Sequence, residues 1–284
     1  MRHTSTIFAL AALPLLSFAE LDLTSQHLDI EESSFFLRGM LTTETEFGSY
    51  GKTDIAEAEI GMDFGKIDGI LWGTLGLRAD AHAYWFLDNP GLDALPDALM
   101  DVSATPCYTI RFMTGWSFAF SASPGFYSDA SNPAFSCPFT VNSYFAACPE
   151  LSFLIGGTFR PGWDIGFVPN IGLAWQPCDL FRLELGCPES RVDLFPGHIL
   201  SFFGTVKWRN VTYALEDVKG LPDSLTMDDI YASAGVSLRI LGSWYVMGEA
   251  GTFLERELSA DVAKDKAIKL SKEPFIRVSL QSVF

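Results

Sequence analysis

Beyond its first nineteen residues, the sequence has no run of about 18 consecutive apolar residues, so a membrane-spanning α-helix is not expected there. Basic residues are also scarce, because 19 Lys and Arg stand against 35 Asp and Glu, for a net charge of -16. This balance excludes a nucleic-acid binder and argues against anchoring to an anionic surface. The motifs G-x-S-x-G and H-E-x-x-H and a glycine-rich phosphate loop are all absent.

Cysteine is present but gives no recognisable framework. The five cysteines are an odd number, so at least one is unpaired, and their spacing fits no zinc site. Cys178 and Cys187 flank one predicted strand and are not expected to pair. The sequence therefore predicts neither a metal site nor a cofactor.

The N-terminus has the features of a secretory signal. Arg2 is followed by an apolar run over residues 7–18, and Ser17-Phe18-Ala19 is a small-x-small cleavage site. We expect residues 1–19 to be a signal peptide, the acidic residues 20–33 to be a periplasmic lead-in, and residues 34–284 to be one domain. An exported acidic chain with 48% apolar residues and a mean hydropathy of +0.20 predicts a soluble β-protein or an outer-membrane barrel.

Alternation with a period of two recurs along the chain, and a helical period fits these stretches less well. It is clearest in residues 75–85, where Leu77 and Ala79 share one face and Arg78 and His82 share the other. The same alternation occurs in residues 37–46, 56–64, 181–185, 202–209, 230–240 and 246–255.

Short turns and longer polar connections alternate between these strands, as they do in outer-membrane barrels. Counting by this rule predicts fourteen strands, or twelve if residues 140–147 and 191–195 are loops, and an even number suits a barrel with both ends on the periplasmic side. The predicted fold is therefore all-β, an antiparallel transmembrane β-barrel of 12–14 strands. Most of the seven tryptophans lie near predicted strand ends, which favours interfacial girdles.

The last ten residues form an alternating strand that ends on Phe284. This ending looks like the C-terminal strand of bacterial outer-membrane β-barrel proteins, which the barrel-assembly machinery reads. The resemblance implies an assembly signal at Ile276, Val278, Leu280 and Phe284. The alternative is an ordinary last strand of a soluble sheet.

A second resemblance covers residues 140–215. Pro169, Gly172, Trp175 and Pro177 form the pattern P-x-x-G-x-x-W-x-P, and L-x-L-x-x-P follows at residues 183–188. This resembles a family of functionally unassigned bacterial outer-membrane β-barrel-like proteins. The resemblance implies the architecture and no activity.

Polar faces of the predicted strands would line the lumen. The expected lining residues are Arg38, Glu57, Glu59, Arg78, Asp80, His82, Arg182, Glu184, Lys207, Arg209, Arg239, Glu249 and Arg277, with Glu44, Glu46 and Asp63 on the same faces. Glu255 belongs to the polar face of residues 246–255. Both signs are present, so cross-strand ion pairs are expected, including one between Arg78 and Glu57 or Glu59 of the preceding strand.

His82 and Asp80 share a face, but no catalytic triad can be assigned from the sequence, and no catalytic residue is predicted. The predicted function is porin-like passive passage of solutes, or a structural role, in the outer membrane of a Gram-negative-type bacterium. The expected partners are outer-membrane lipid and the barrel-assembly machinery, with no nucleic acid. A barrel-embedded hydrolase and a soluble periplasmic β-sandwich binding protein are the alternatives.

Overall fold

All strands of the computed structural model belong to one β-sheet. The structure describes residues 33–46, 52–87, 96–113, 115–129, 134–197, 199–215, 224–260 and 268–283. Its strands are β1 (Ser34–Glu46), β2 (Lys52–Ile70), β3 (Gly73–Leu87), β4 (Ala98–Met113), β5 (Trp116–Ala122), β6 (Gly125–Asp129), β7 (Phe135–Ser136), β8 (Phe139–Cys148), β9 (Leu151–Phe159), β10 (Phe167–Cys178), β11 (Phe181–Cys187), β12 (Glu189–Leu194), β13 (Leu200–Ala214), β14 (Ser224–Leu241), β15 (Trp244–Ala260), β16 (Ile268–Lys269) and β17 (Pro274–Val283).

The predicted signal peptide and most of the lead-in, residues 1–32, lie outside the described residues, as does Phe284. No helix in the described part of the chain is long and apolar enough to cross a membrane.

The sheet closes on itself through its first and last strands. β17 pairs antiparallel with β1 on one side and β15 on the other, so Leu280 lies opposite both Leu37 and Val246. The closed antiparallel barrel has 14 strands, which confirms the predicted fold class. The two segments with the weakest sequence pattern are strands β8 and β12.

Three short strands, β6, β7 and β16, are not counted among these 14 and extend the ring at one end. β4 pairs with β5 through residues 107–113 and with β6 through residues 99–103, so β5 and β6 act as consecutive parts of one neighbour. β7 pairs with β6, and β16 pairs with β15.

The two ends of the barrel differ. One end, called the turn end, holds Ser34, Val283 and tight turns. In the β2–β3 turn, Leu71 and Trp72 have φ of 47° and 66°, as the two central residues of a type I′ hairpin turn require. The opposite end, called the loop end, holds the longer connections. Both termini of the barrel therefore lie at the turn end.

The outer surface is apolar and the inner surface is mostly polar. In β17, Ile276 is 66% exposed and Val278 is also exposed, whereas Arg277 and Ser279, which alternate with them, are buried. Exposed apolar side chains continue this outer band around the barrel: Leu37, Leu41, Ile60, Leu77, Val102, Ile155, Ile171, Leu185, Phe202, Val206, Val236 and Leu238. Such a band suits lipid, because a soluble protein rarely exposes so large an apolar surface.

Aromatic side chains border the outer band. Phe139 stacks on Phe159 with ring centroids 4.8 Å apart, and Phe159 lies 5.0 Å from Phe167 at the loop-end border. Exposed tryptophans near the turn end are Trp72, Trp116, Trp175 and Trp244. Trp163 departs from the expected girdle, because it packs 5.2 Å from Tyr127 inside the loop end.

Candidate functional site

The middle of the lumen is bridged by ionic contacts between strands that are not neighbours. Arg209 of β13 places Nη1 3.2 Å from Oε1 of Glu57 on β2, and its Nη2 lies 2.6 Å from Nδ1 of His82 on β3. His82 Nε2 is 3.0 Å from the same Glu57 oxygen. Glu57 and His82 are buried. These three side chains therefore bridge the lumen between β13 and the β2–β3 hairpin.

Asp101 of β4 and two tyrosines complete this layer. Asp101 Oδ2 lies 3.1 Å from His82 Nδ1 and accepts a hydrogen bond of 3.1 Å from the Tyr213 hydroxyl. The Arg209 guanidinium carbon lies 4.9 Å from the centroid of the Tyr84 ring, close enough for a cation–π contact. The network joins β2, β3, β4 and β13, so loss of one member leaves other buried polar groups unpaired.

A second group of charges lies between β14, β15 and β17. Arg256 is fully buried, with Nε 3.2 Å from Oδ1 of Asp229 and its guanidinium carbon 4.1 Å from the centroid of the Phe253 ring. Arg277 Nη1 donates a 3.1 Å hydrogen bond to Oε1 of Glu249. In this group every buried cation has a carboxylate partner, which reduces the cost of burying it.

A square of alternating charges lines β11 and β12. Arg182 pairs with Glu184 along β11, and Arg191 Nη2 lies 2.7 Å from Oδ1 of Asp193 along β12. The register also sets Arg182 opposite Asp193 and Glu184 opposite Arg191. All four are buried. Beside them, Lys207 Nζ lies 3.3 Å from Oε2 of Glu189.

An uncharged strip follows on β8, β9 and β10. Asn170 Nδ2 donates to Asn142 Oδ1 at 3.0 Å and to Thr158 Oγ1 at 3.2 Å. Thr158 and Thr140 hydroxyls lie 2.9 Å apart. Asn142 and Asn170 are buried and face the interior, so this part of the wall offers amides and hydroxyls without net charge.

Toward the turn end, Arg38 Nη1 lies 2.9 Å from Oε2 of Glu59, as a cross-strand pair. The prediction that Arg78 forms an ion pair with Glu57 or Glu59 is wrong. Its ion pair is with Asp80 on its own strand, Nη2 to Oδ1 at 2.7 Å. The residue opposite Asp80 is Gly61, which has no side chain, so Asp80 has room to turn toward Arg78.

Other predicted positions differ because of β-bulges, which move later residues to the other face. Register shifts occur between Thr42 and Thr45 in β1 and near Tyr231 in the β14–β15 pair. Glu46 is therefore exposed, with its Oε1 3.0 Å from Lys52 Nζ, and Glu255 is exposed too. Neither lines the lumen as expected.

Arg239 lies near the turn end, where its Nε donates to the Gly242 carbonyl.

The sequence pattern missed Asp101, Arg191, Asp193, Asp229 and Arg256. Asp101 adjoins a loop, and β12 was a weak segment. Arg256 faces inward only because of the bulge near Tyr231.

An apolar cluster fills the interior above the charged layer, at the loop end. Its buried members are Ile55, Tyr84, Phe86, Leu99, Tyr127, Tyr213, Leu215, Leu225, Met227, Leu258 and Leu270. Trp163 and Val211 pack against it. Close packing of these side chains leaves little room for water among them.

Within the described part of the chain, the polar contacts of His82 go to two carboxylates and one guanidinium. Asp80, the carboxylate expected beside His82, pairs with Arg78 instead. None of the five cysteines forms a disulfide bond. The described residues contain no group of three or more His, Cys, Asp and Glu side chains that could hold a metal ion.

Comparison with known proteins finds likeness in structure alone. No family model matches, and no curated protein matches. A solved structure of the TodX deltaS2S3 mutant monoaromatic hydrocarbon channel aligns with TM-score 0.52 at 9% identity, covering 96% of this chain and 93% of that one. An outer membrane channel from Pseudomonas putida F1 aligns with TM-score 0.47 at 8% identity, covering 90% and 97%. The KdgM porin in complex with disordered oligogalacturonate aligns with TM-score 0.41 at 11% identity, covering 89% and 99%.

The fold is that of bacterial outer-membrane channels. At these identities the likeness concerns the fold, and it confirms the outer-membrane β-barrel architecture predicted from the sequence. The exposed apolar band around this barrel supports the predicted outer-membrane localisation.

Proposed function

We propose that this protein is an outer-membrane channel for small polar solutes and that the described conformation is its closed state. The observation that carries the proposal is the charged layer of Glu57, His82 and Arg209, paired across the lumen of a 14-stranded barrel. A ring of this size is wider than side chains need to fill. A barrel with only a scaffolding role could use apolar side chains there, which avoid the desolvation cost of buried ions.

The lining indicates the class of solute. Cations and carboxylates alternate in the square formed by Arg182, Glu184, Arg191 and Asp193, and the neighbouring strip is made of amides and hydroxyls. Such a wall has no strong field of one sign, so it favours neutral or zwitterionic polar molecules over ions. The fold shared with outer-membrane channels supports passive passage rather than catalysis.

Purified protein in planar bilayers and in solute-loaded liposomes tests this proposal. The wild type is expected to show infrequent openings, and Arg209→Ala is expected to open more often because the bridge to Glu57 is gone. Lys52→Ala is the matched control, since it removes a cation from an exposed pair at the loop end. Absence of conductance and swelling in all three folded proteins would contradict the channel function.

A closed structural barrel is the second candidate. It is favoured by the burial of His82, Arg256 and Arg277, whose side chains fill the lumen. Both candidates use outer-membrane lipid as solvent for the outer band. Both also use the barrel-assembly machinery, which we propose reads Ile276, Val278, Leu280 and Phe284. The two differ in the conductance of Arg209→Ala.

A further inference from the structure

The wall of the barrel is uneven at the loop end. β12 pairs with β13 only as far as Lys207, whereas β13 continues to Ala214. On the β10 side, the last residue of β11, Cys187, pairs with Ile171 of β10. β10 extends four residues beyond this pair toward the loop end, as far as Phe167. A gap therefore lies above the β11–β12 connection, between β10 and the free edge of β13. Two strands separate its sides, so it is roughly 14 Å wide at its base and roughly 20 Å high.

The top of this gap is closed by one strand contact. Ser128 of β6 pairs in parallel with Ala214 of β13, although the two strands belong to distant parts of the ring. β4, β6 and β13 thus meet at the loop end, above the ends of the shorter strands β11 and β12. The apolar cluster fills the space that they enclose. The way along the barrel axis is closed at this end, and the gap forms a side window bounded by β10, β13 and the Ser128–Ala214 contact.

One loop, residues 160–166, covers the side window and is called the latch. Arg160 Nη1 donates to the Asn210 carbonyl at 2.7 Å, and the Asp164 amide donates to Thr212 Oγ1 at 3.2 Å. Trp163 Nε1 donates to Ser136 Oγ at 3.2 Å. Ser259 Oγ of β15 also donates to Asp164 Oδ2 at 3.4 Å, so hydrogen bonds tie the latch to β7, β13 and β15. The latch has no strand pairing of its own to these strands, which is typical of segments that open locally.

Behind the latch lies the charged layer. Trp163 covers Tyr127 and packs with Val211 against the apolar cluster. Val211 lies between Arg209 and Tyr213 on the inner face of β13. Movement of the latch would remove Trp163 from the side of the apolar cluster and uncover Val211, next to Arg209, while the Ser128–Ala214 contact stays in place.

The side window faces water rather than lipid. The aromatic border of Phe139, Phe159 and Phe167 lies at the tops of the short strands, just below the latch. Beyond this border the outward-pointing residues of β13, β14 and β15 are polar: Asn210, Thr212 and Thr226 are buried beside the latch, and Asp228 and Glu257 are partly exposed. A polar solute can reach such an opening from the aqueous side without crossing hydrocarbon.

We propose that polar solutes enter this protein through the side window, and that the latch, through Arg160 and Trp163, opens and closes it. The proposal rests on the channel function proposed above. It differs from axial entrance at the loop end, which requires the apolar cluster and the Ser128–Ala214 contact to separate.

Cysteine labelling tests the opening independently of transport. In a variant with its five cysteines replaced by serine, Val211→Cys places a thiol behind the latch, for reaction with a membrane-impermeant maleimide on intact cells. Adding Arg160→Ala and Trp163→Ala is expected to raise the labelling rate about tenfold or more, because each lost contact stabilises the closed position several-fold. The matched control is Lys52→Ala with Trp72→Ala, which removes one cationic and one tryptophan side chain from exposed positions. Equal labelling in both double variants would overturn the proposal.

Two disulfide locks distinguish the side window from the axis. Asp164→Cys with Thr212→Cys ties the latch to β13, and Ser128→Cys with Ala214→Cys ties β6 to β13. Swelling of liposomes in sucrose is expected to stop in the oxidised latch lock, to return on reduction, and to be unaffected by the other lock. The opposite pattern would overturn the proposal. Latch-dependent labelling without swelling in any variant would instead refute the channel function alone.

Discussion

Arg209 and Glu57 meet across the lumen, with Nη1 and Oε1 3.2 Å apart, although 152 positions separate them in the chain. Their strands, β13 and β2, are not neighbours in the ring. Glu57 is buried, whereas about a quarter of the Arg209 side chain is exposed. The pair joins two sides of the barrel, so its loss should affect both stability and opening.

Arg209→Ala is expected to lower the free energy of unfolding by about 3 kcal/mol, because it leaves the buried Glu57 and the partly buried Asp101 with fewer partners. Changing Glu57 to Gln and Arg209 to Met together should restore much of this loss. Lys52→Ala, from the exposed pair with Glu46, should cost less than about 1 kcal/mol. Denaturant unfolding in detergent micelles measures all three, and equal losses in the single and double variants would indicate a hydrated lumen.

Val236→Arg tests which face of β14 meets lipid. Val236 is exposed on the outer band, so the arginine should destabilise the barrel by about 2–4 kcal/mol in lipid. Val236→Leu is the control, since it keeps the position apolar. If unfolding in liposomes shows no difference between the two variants, the outer band does not face hydrocarbon.

Deletion of Phe284 tests the assembly signal. β17 closes the ring between β15 and β1, so delayed recognition of this strand should leave unclosed protein in the periplasm. We expect the heat-modifiable, membrane-bound fraction to fall more than the total secreted protein. Ser282→Ala is a matched change in the same strand. Equal membrane fractions for the deletion and the wild type would contradict the signal.

Ion selectivity should be weak in the wild type, because cations and carboxylates alternate along the lining. In a potassium chloride gradient the reversal potential is expected to lie near zero. Glu184→Gln removes one carboxylate from the square on β11 and β12 and should shift the potential toward anion preference. A strong preference in the wild type would mean that the conducting path avoids these residues.

Much of the inner face follows from the alternation of residues along each strand. Glu57, Arg182 and Arg277 were expected in the lumen from that pattern, and all three side chains are buried. At Glu255 and Arg256, alternation along the strand no longer predicts which side chain faces the lumen. The bulge near Tyr231 adds one residue to β15, so the face predicted for Glu255 belongs to Arg256.

The sequence by itself determined the all-β class, the even strand count and the two faces of most strands, because a period of two is a property of neighbouring residues. Only the tertiary structure decided which charges meet. Arg78 joins Asp80 because Gly61 lies opposite, and Arg209 joins Glu57 because ring closure brings distant strands together. The side window was likewise decided by unequal strand lengths and by the Ser128–Ala214 contact. These depend on register and closure, which no local pattern encodes.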